Sequence, residues 1–167
     1  MRIKGSRTSV LIIALWMGLG ISHSQDRPKS SEPFIAVSKS QLAETASSSQ
    51  LEKLKQIENL RTTKEVFIFR RNPDAEIGDS VRISIPNETS FLLSKTGGEN
   101  RDQSNFTWFG DLQGEKRGTA TLIARNGEIT GSINSSRGLY RIFPLGSGTY
   151  AVVKLNTGGL PPDEPHS

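Results

Sequence analysis

Residues 119–133, with the sequence TATLIARNGEITGSI, decide the fold. Two strand-like runs, 119–124 and 129–133, flank the dipeptide Asn126-Gly127. Both residues of the tightest hairpin turns adopt positive φ, and Asn-Gly does so at little cost. This stretch therefore predicts two antiparallel strands joined by a short turn.

Similar strand-like segments lie on both sides of this hairpin. They are separated by turn residues, which include Arg137-Gly138 and the triplet Gly146-Ser147-Gly148. The segments are 66–69, 81–85, 91–93, 106–109, 139–143 and 150–155, whereas residues 96–104, with two glycines and several charges, are predicted to form a loop. Eight or so short strands at this spacing predict a mainly β (α+β) fold, an antiparallel meander sheet curled into a sandwich or half-barrel.

One N-terminal helix is predicted to pack on this sheet. It has Ser49 and Glu52 as its capping box, and its apolar residues recur every three positions at Leu51, Leu54, Ile57 and Leu60. Residues 25–48 are rich in Ser, Pro, Lys and Gln and are predicted to form a mostly flexible leader, with 34–37 as a candidate edge strand. The domain is therefore expected over 49–156, followed by a Pro- and Gly-rich extended tail over 157–167.

Residues 1–24 have the pattern of a cleavable signal peptide. A basic start precedes an apolar run over 10–21, and small residues stand at Ser22 and Ser24, the positions that a signal peptidase recognises. A run of about 12 apolar residues is shorter than the roughly 20 that a spanning helix needs. We therefore expect a secreted or periplasmic protein that meets the membrane only through this segment during export.

Loss of the signal peptide changes the charge of the chain. Arg2, Lys4 and Arg7 are three of the 21 basic residues, and all 17 acids remain, which leaves a net charge of +1. The remaining basic residues are scattered among acids, so no nucleic-acid partner is expected. Arg70-Arg71 and Lys116-Arg117 are interpreted as solvated strand ends.

The side chains that many enzymes need are scarce in the exported chain. It has no Cys, and of its two histidines His23 leaves with the signal and His166 is the next-to-last residue. A Ser-His-Asp triad and a two-histidine zinc site are therefore excluded. The acid pairs Asp74 with Glu76 and Asp163 with Glu164 lie on breaker-rich segments and are interpreted as solvated loop acids. We expect a non-enzyme without a cofactor.

Three further features have structural and functional interpretations. Trp108 shares a strand face with Phe106, which favours a core role over a sugar-binding or peptide-binding platform. Gly131 lies inside a strand, where glycine permits a bulge or the close approach of another backbone. Acceptor sequons for N-glycosylation begin at Asn87, Asn105 and Asn134 and matter only in a glycosylating host.

The last 60 residues resemble the N-terminal pro-region of bacterial secreted zinc metalloproteases of the reprolysin-like and peptidyl-Asp metallopeptidase type. Four motifs follow one another in the order of that family. They are a W-x-G strand at Trp108 and Gly110, an N-G-x-x-x-G-x-I hairpin at Asn126, Gly127 and Gly131, a Y-R-I-x-P-x-G-x-G hairpin at Tyr140, Pro144 and Gly148, and the segment Leu160-Pro161-Pro162. The catalytic zinc-binding helix that follows in the family is not found before Ser167.

The resemblance implies a prodomain-like module that acts on a zinc metalloprotease in trans, either by assisting its folding or by blocking its cleft. The tail residues Leu160, Pro161, Pro162, Asp163 and Glu164 would contact the cleft, and Asp163 or Glu164 could provide an oxygen ligand to the zinc. The alternative is a free-standing extracellular β module in which Trp108 and Tyr140 contact a glycan or peptide. Exposure of both side chains on one concave face would favour that alternative.

Overall fold

The computed structural model describes residues 31–156 and 158. Within them the elements follow in the order β1 (Phe34–Val37), α1 (Lys39–Ala43), α2 (Ser48–Glu58), β2 (Thr63–Arg71), β3 (Ser80–Ser84), β4 (Ser90–Asp102), β5 (Asn105–Leu112), β6 (Thr119–Arg125), β7 (Glu128–Ser135), β8 (Gly138–Gly146) and β9 (Thr149–Leu155). The predicted mainly β fold with an antiparallel meander is confirmed.

The nine strands form one sheet in the order β1-β2-β9-β8-β7-β6-β5-β4-β3, and every neighbouring pair is antiparallel. An odd number of alternating strands leaves the two end strands, β1 and β3, parallel to each other. Ser31 bridges to β3, because its N–H donates to the Ser80 carbonyl at 3.1 Å and its carbonyl accepts from the Arg82 N–H at 2.7 Å. The sheet is thereby curled into a nearly closed barrel.

Alternate residues of each strand fill the inside of this barrel. On β3 the inward residues are Val81 and Ile83, and on β6 they are Ala120, Leu122 and Ala124. The side-chain period of two along a strand accounts for this alternation. The interior is completed by aromatic and aliphatic side chains from the other strands, among them Phe69, Phe91, Trp108, Ile133, Tyr140, Ile142, Tyr150 and Val152. It is a packed core.

A second apolar layer lies on the outside of β2, β9 and β8, under the helices. Leu42 of α1 and Leu54 of α2 pack there with Ile68, Ala151 and Val153. Strand β2 is therefore covered on both faces, as its continuous apolar run predicts. No helix in the described part of the chain is long and apolar enough to span a membrane.

The predictions for the helical region were partly wrong. Between residues 31 and 156 there are two α-helices where one was predicted, and the capping boxes are Ser38 with Gln41 and Ser47 with Gln50, not Ser49 with Glu52. Residues 34–37 form a strand as proposed, but β1 and α1 lie within the segment predicted as a flexible leader. Burial of Phe34 and Leu42 accounts for this order, because two apolar anchors hold a segment that is otherwise polar.

The predicted loop over 96–104 was wrong over 96–102, and only residues 103–104 form a turn. Strand β4 continues to Asp102, with register shifts at Lys95/Gly97 and Asn100/Asp102. Its glycines allow β5 to approach closely, since a Cβ on Gly98 would lie 2.1 Å from the Thr107 carbonyl oxygen. The glycines and charged residues of this segment therefore belong to a bulged strand of the β4–β5 hairpin and not to a loop.

Candidate functional site

Trp108 and Gly110 of the W-x-G motif form one packing unit. Trp108 is 2% exposed, and its indole N–H donates to the Gly78 carbonyl at 2.8 Å. Its ring covers Gly110, where a Cβ would lie 2.2 Å from Cη2 of the ring. The motif therefore holds the 72–79 loop on the barrel, and the predicted core role of Trp108 is confirmed.

The other motif residues also maintain the sheet. Asn126 and Gly127 have φ of 51° and 80° and form the predicted hairpin turn. Gly131 faces neighbouring strands so closely that a Cβ would lie 2.5 Å from the Thr121 carbonyl oxygen. Pro144 precedes a register shift in β8, and Gly148 lies in the turn before β9. Their roles are structural.

A recognition role for Trp108 and Tyr140 in glycan or peptide binding is wrong for these two side chains, because both are buried in the barrel. The exposed aromatic residue of this region is Phe109, which points outward from β5 and is 45% exposed. Around it lie outward residues of β5 to β7, which no described helix covers: Thr107, Thr121, Ile123, Thr130 and Ser132. We call this surface the bare face.

Further predicted positions are placed as follows. Asp74 and Glu76 are exposed on the 72–79 loop, and Glu76 accepts a hydrogen bond from Gln103 at 2.8 Å. Among the sequon residues, Asn87 and Asn134 are exposed. Within the described residues no three His, Asp or Glu side chains are grouped so as to hold a metal ion.

The predictions for Ser22, Ser24, Leu160, Pro161, Pro162, Asp163 and Glu164 lie outside the described residues.

One end of the barrel carries a cluster that we call the Glu88 end, made of Glu88, Tyr140, Lys154 and Glu65. Glu88 follows β3, and its carboxylate accepts a hydrogen bond from the Tyr140 hydroxyl at 2.5 Å and pairs with the Lys154 ammonium. The Lys154 ammonium also lies 5.6 Å from the Tyr140 ring centroid. Glu65 is opposite Lys154 on β2. These contacts tie the turn after β3 to β8 and β9.

The shifted pKa values at the Glu88 end favour an ionised Glu88–Lys154 pair and a neutral Tyr140 hydroxyl. Burial raises the pKa of Glu88, but hydrogen bonds from Lys154 and Tyr140 and the lysine charge outweigh it, so this pKa lies below its ordinary value. The hydrogen bond to Glu88 raises the pKa of Lys154. Burial, together with the hydrogen bond to Glu88, raises the pKa of Tyr140. The cluster is satisfied internally, which suits a structural role.

The opposite end, which we call the Arg71 end, consists of Arg71, Tyr150 and the 72–79 loop. Arg71 follows Phe67 and Phe69 at every second position of β2, so it shares their inward face. Its guanidinium donates to the Pro33 carbonyl at 3.0 Å. Burial lowers the pKa of Arg71, against the influence of Tyr150. The interpretation of Arg71 as a solvated strand end therefore holds only in part, because Arg71 does end β2 but is half-buried in the barrel mouth.

Arg71 lines a cavity of about 310 Å³ under the 72–79 loop. Lys95, Glu76 and Glu99 contribute the other charged groups of its wall, and the partly exposed Ile77 and Phe106 contribute apolar surface. Within residues 31–156 the ion pairs are Lys39–Glu58, Arg82–Glu32 and Lys154–Glu88, so Arg71 forms none there. The Arg71 end thus combines a partly buried cation with space beside it.

The key residues of both ends were missed from the sequence, although a signal existed. Lys154 follows Tyr150 and Val152 at every second position, so alternation sends a charge inward. Arg71 follows Phe67 and Phe69 in the same way. An inward charge at the end of an apolar strand needs a partner or a ligand. The partner Glu88 could not be found, because it is 66 residues from Lys154 in the chain.

Comparisons with known proteins add little. No family model and no curated protein matches the chain. A chain from a solved structure described as the structure of a chaperone–substrate complex aligns with 16% identity and a TM-score of 0.45, over 60% of this chain and 92% of that chain. A likeness of that size supports no functional argument.

Proposed function

We propose that the protein is an exported, non-catalytic module that binds a secreted zinc metalloprotease in trans and assists its folding or blocks its cleft. The observation that carries the proposal is the ordered series of motifs between Trp108 and Pro162, which resembles the pro-regions of such proteases. The single histidine left after signal cleavage, His166, agrees with a role exercised through contact.

The bare face is the surface that we assign to the protease contact. The barrel interior is filled by its own side chains, so binding of a protein must use the outside. The helices occupy the outside of β2, β8 and β9, whereas Phe109 stands exposed on β5. Asp111 is exposed on the same side of β5, two positions from Phe109, and places one charge beside the Thr and Ser side chains. An aromatic anchor with a polar surround of this kind is suited to a protein contact.

Titration of a secreted zinc metalloprotease from the same source with residues 25–167 tests the proposal. We expect a saturable fall in the initial rate of peptide hydrolysis, or a higher yield when the denatured protease is refolded. Phe109→Ser should weaken the effect by about tenfold or more, as expected for an aromatic anchor.

Leu60→Ser is the matched control, because Leu60 is a large apolar residue with a similar exposure of 50% but lies after α2. Truncation after residue 159 tests the tail separately. If neither the activity nor the refolding yield changes with the intact protein, the proposal fails and a free-standing binding module is favoured.

A further inference from the structure

The Arg71 end has features of a binding site that the proposed function does not use. Arginine carries five N–H donors, and among the described residues only the Pro33 carbonyl accepts a hydrogen bond from this side chain. Taking a guanidinium out of water without a counter-charge costs free energy that a bound anion would recover. The cation, which has no ion-pair partner within residues 31–156, and the cavity beside it therefore point to the same ligand type.

The charges of the cavity wall restrict that ligand. Lys95 adds a second cation, but Glu76 and Glu99 balance the two positive charges. The wall is therefore neutral overall, and a dianionic phosphate would meet about twice the repulsion from the two carboxylates that a monoanionic carboxylate meets. The planar guanidinium also matches a carboxylate with two parallel hydrogen bonds.

The size and the lining of the cavity restrict the ligand further. A volume of about 310 Å³ is at the small end of the range for ligand pockets, which is about 300–1,000 Å³. The apolar surface of the partly exposed Ile77 and Phe106 adjoins the charged groups. A ligand of one or two residues with a carboxylate and a short apolar body fits this wall.

From these observations we infer that the Arg71 end is a carboxylate-binding site that takes the free C-terminus of a peptide, with Arg71 as the group that binds the carboxylate. The inference does not require the proposed protease partner, because Phe109, the anchor of the bare face, does not line the cavity, although Thr107 belongs to both surfaces. It concerns binding alone and involves no reaction.

The sequence provides a reporter for the test. The chain has two tryptophans, Trp16 and Trp108, and Trp16 lies in the predicted signal peptide. In a chain that starts at residue 25, tryptophan fluorescence therefore reports on Trp108 at the cavity wall. Calorimetry of the same titrations measures the affinity without depending on the fluorescence response.

The probes are an N-acetylated dipeptide of two alanines with a free C-terminus, the same dipeptide with an amidated C-terminus, acetate and inorganic phosphate. We expect saturable binding of the free acid that changes Trp108 fluorescence, and at least tenfold weaker binding of the amide and of phosphate. Acetate tests whether the site recognises a peptide or any carboxylate. Weaker binding of acetate than of the dipeptide supports a peptide C-terminus, and equal binding overturns the assignment to a peptide.

Arg71→Gln removes the charge and should weaken binding of the free acid by about tenfold or more. Arg70→Gln is the matched control, because Arg70 is the adjacent residue but points outward and hydrogen-bonds to Thr45. Circular dichroism and thermal unfolding check that both variants are folded. Equal binding of acid and amide, equal affinity of Arg71→Gln and the unaltered chain, or no binding of the acid would overturn the inference.

Discussion

The two ends of the barrel have the same basic arrangement, an inward cation beside a buried tyrosine. They differ in whether a carboxylate of the described residues pairs with that cation. At the Glu88 end the ammonium of Lys154 has a carboxylate partner that also accepts from Tyr140. At the Arg71 end the guanidinium lies next to Tyr150 and a cavity and forms no ion pair with a described acid. A paired charge contributes to the fold, whereas an unpaired charge costs stability and remains available to a ligand.

The largest expected effect concerns the loop that covers the Arg71 end. Trp108→Ala removes a buried ring and the hydrogen bond to Gly78, and we expect it to lower the free energy of unfolding by about 3–5 kcal/mol. Phe109→Ala, one residue away but exposed, should change it by about 0.5 kcal/mol or less. Urea unfolding followed by circular dichroism measures both. Similar losses for the two variants would show that the loop is not anchored as described.

A direct comparison of the two cations comes next in size. Lys154→Met leaves the Glu88 carboxylate without its ion-pair partner, and we expect a loss of about 1–3 kcal/mol, because the pair is partly open to water. Arg71→Met removes a charge that has no carboxylate partner among the described residues, so its effect should be near zero or stabilising. Urea unfolding at pH 7 decides. Equal losses in the free energy of unfolding for the two variants would contradict the view that Lys154 is paired and Arg71 is not.

The pH dependence of stability sharpens the contrast at the Glu88 end. The folded pKa of Glu88 lies below its ordinary value of 4.5, so its contribution is present above that pH and is lost as the pH falls through the folded pKa. The pKa of Lys154 is raised above 10.5, so its contribution is lost only as the pH rises through the folded value.

We therefore expect Glu88→Gln to lower the free energy of unfolding by about 1–2 kcal/mol at pH 7 and by much less at pH 3. Unfolding of both proteins in urea at the two pH values measures the difference. Glu65 lies beside the same pair, and Glu65→Gln serves as the control because it leaves the contacts of Glu88 with Tyr140 and Lys154 in place. A difference that does not shrink in acid would contradict the assigned ionisation.

The smallest effect separates the two tyrosines. Tyr140→Phe removes a hydrogen bond to a charged carboxylate and should cost about 1–2 kcal/mol. Tyr150→Phe removes a hydroxyl that lies near the Ile129 backbone and has no carboxylate partner among the described residues, and it should cost about 0.5–1 kcal/mol. Thermal and urea unfolding measure both variants. A larger loss at Tyr150 would mean that the Arg71 end is the more tightly bonded of the two.

Local chemistry determined most of the strand predictions. The hairpin at Asn126-Gly127 and the packing of Trp108 were predicted correctly, because positive φ and side-chain alternation depend on residues close together in the chain. The candidate strand at 34–37 was also correct, but the flexible leader was wrong over 39–43 and the loop was wrong over 96–102. Burial of Leu42 depends on distant strands, and a bulged pairing of Gly97 and Gly98 with β5 has no simple alternating pattern in the sequence.

The sequence by itself determined a mainly antiparallel β domain, its main turns, and a series of motifs similar to protease pro-regions. Only the tertiary structure decided that Glu88 meets Lys154 and that Arg71 lines a cavity without an ion-pair partner among the described residues. The physical reason is that strand alternation sets the face of each charge locally, whereas curling of the sheet decides which charges from distant strands share an end of the barrel.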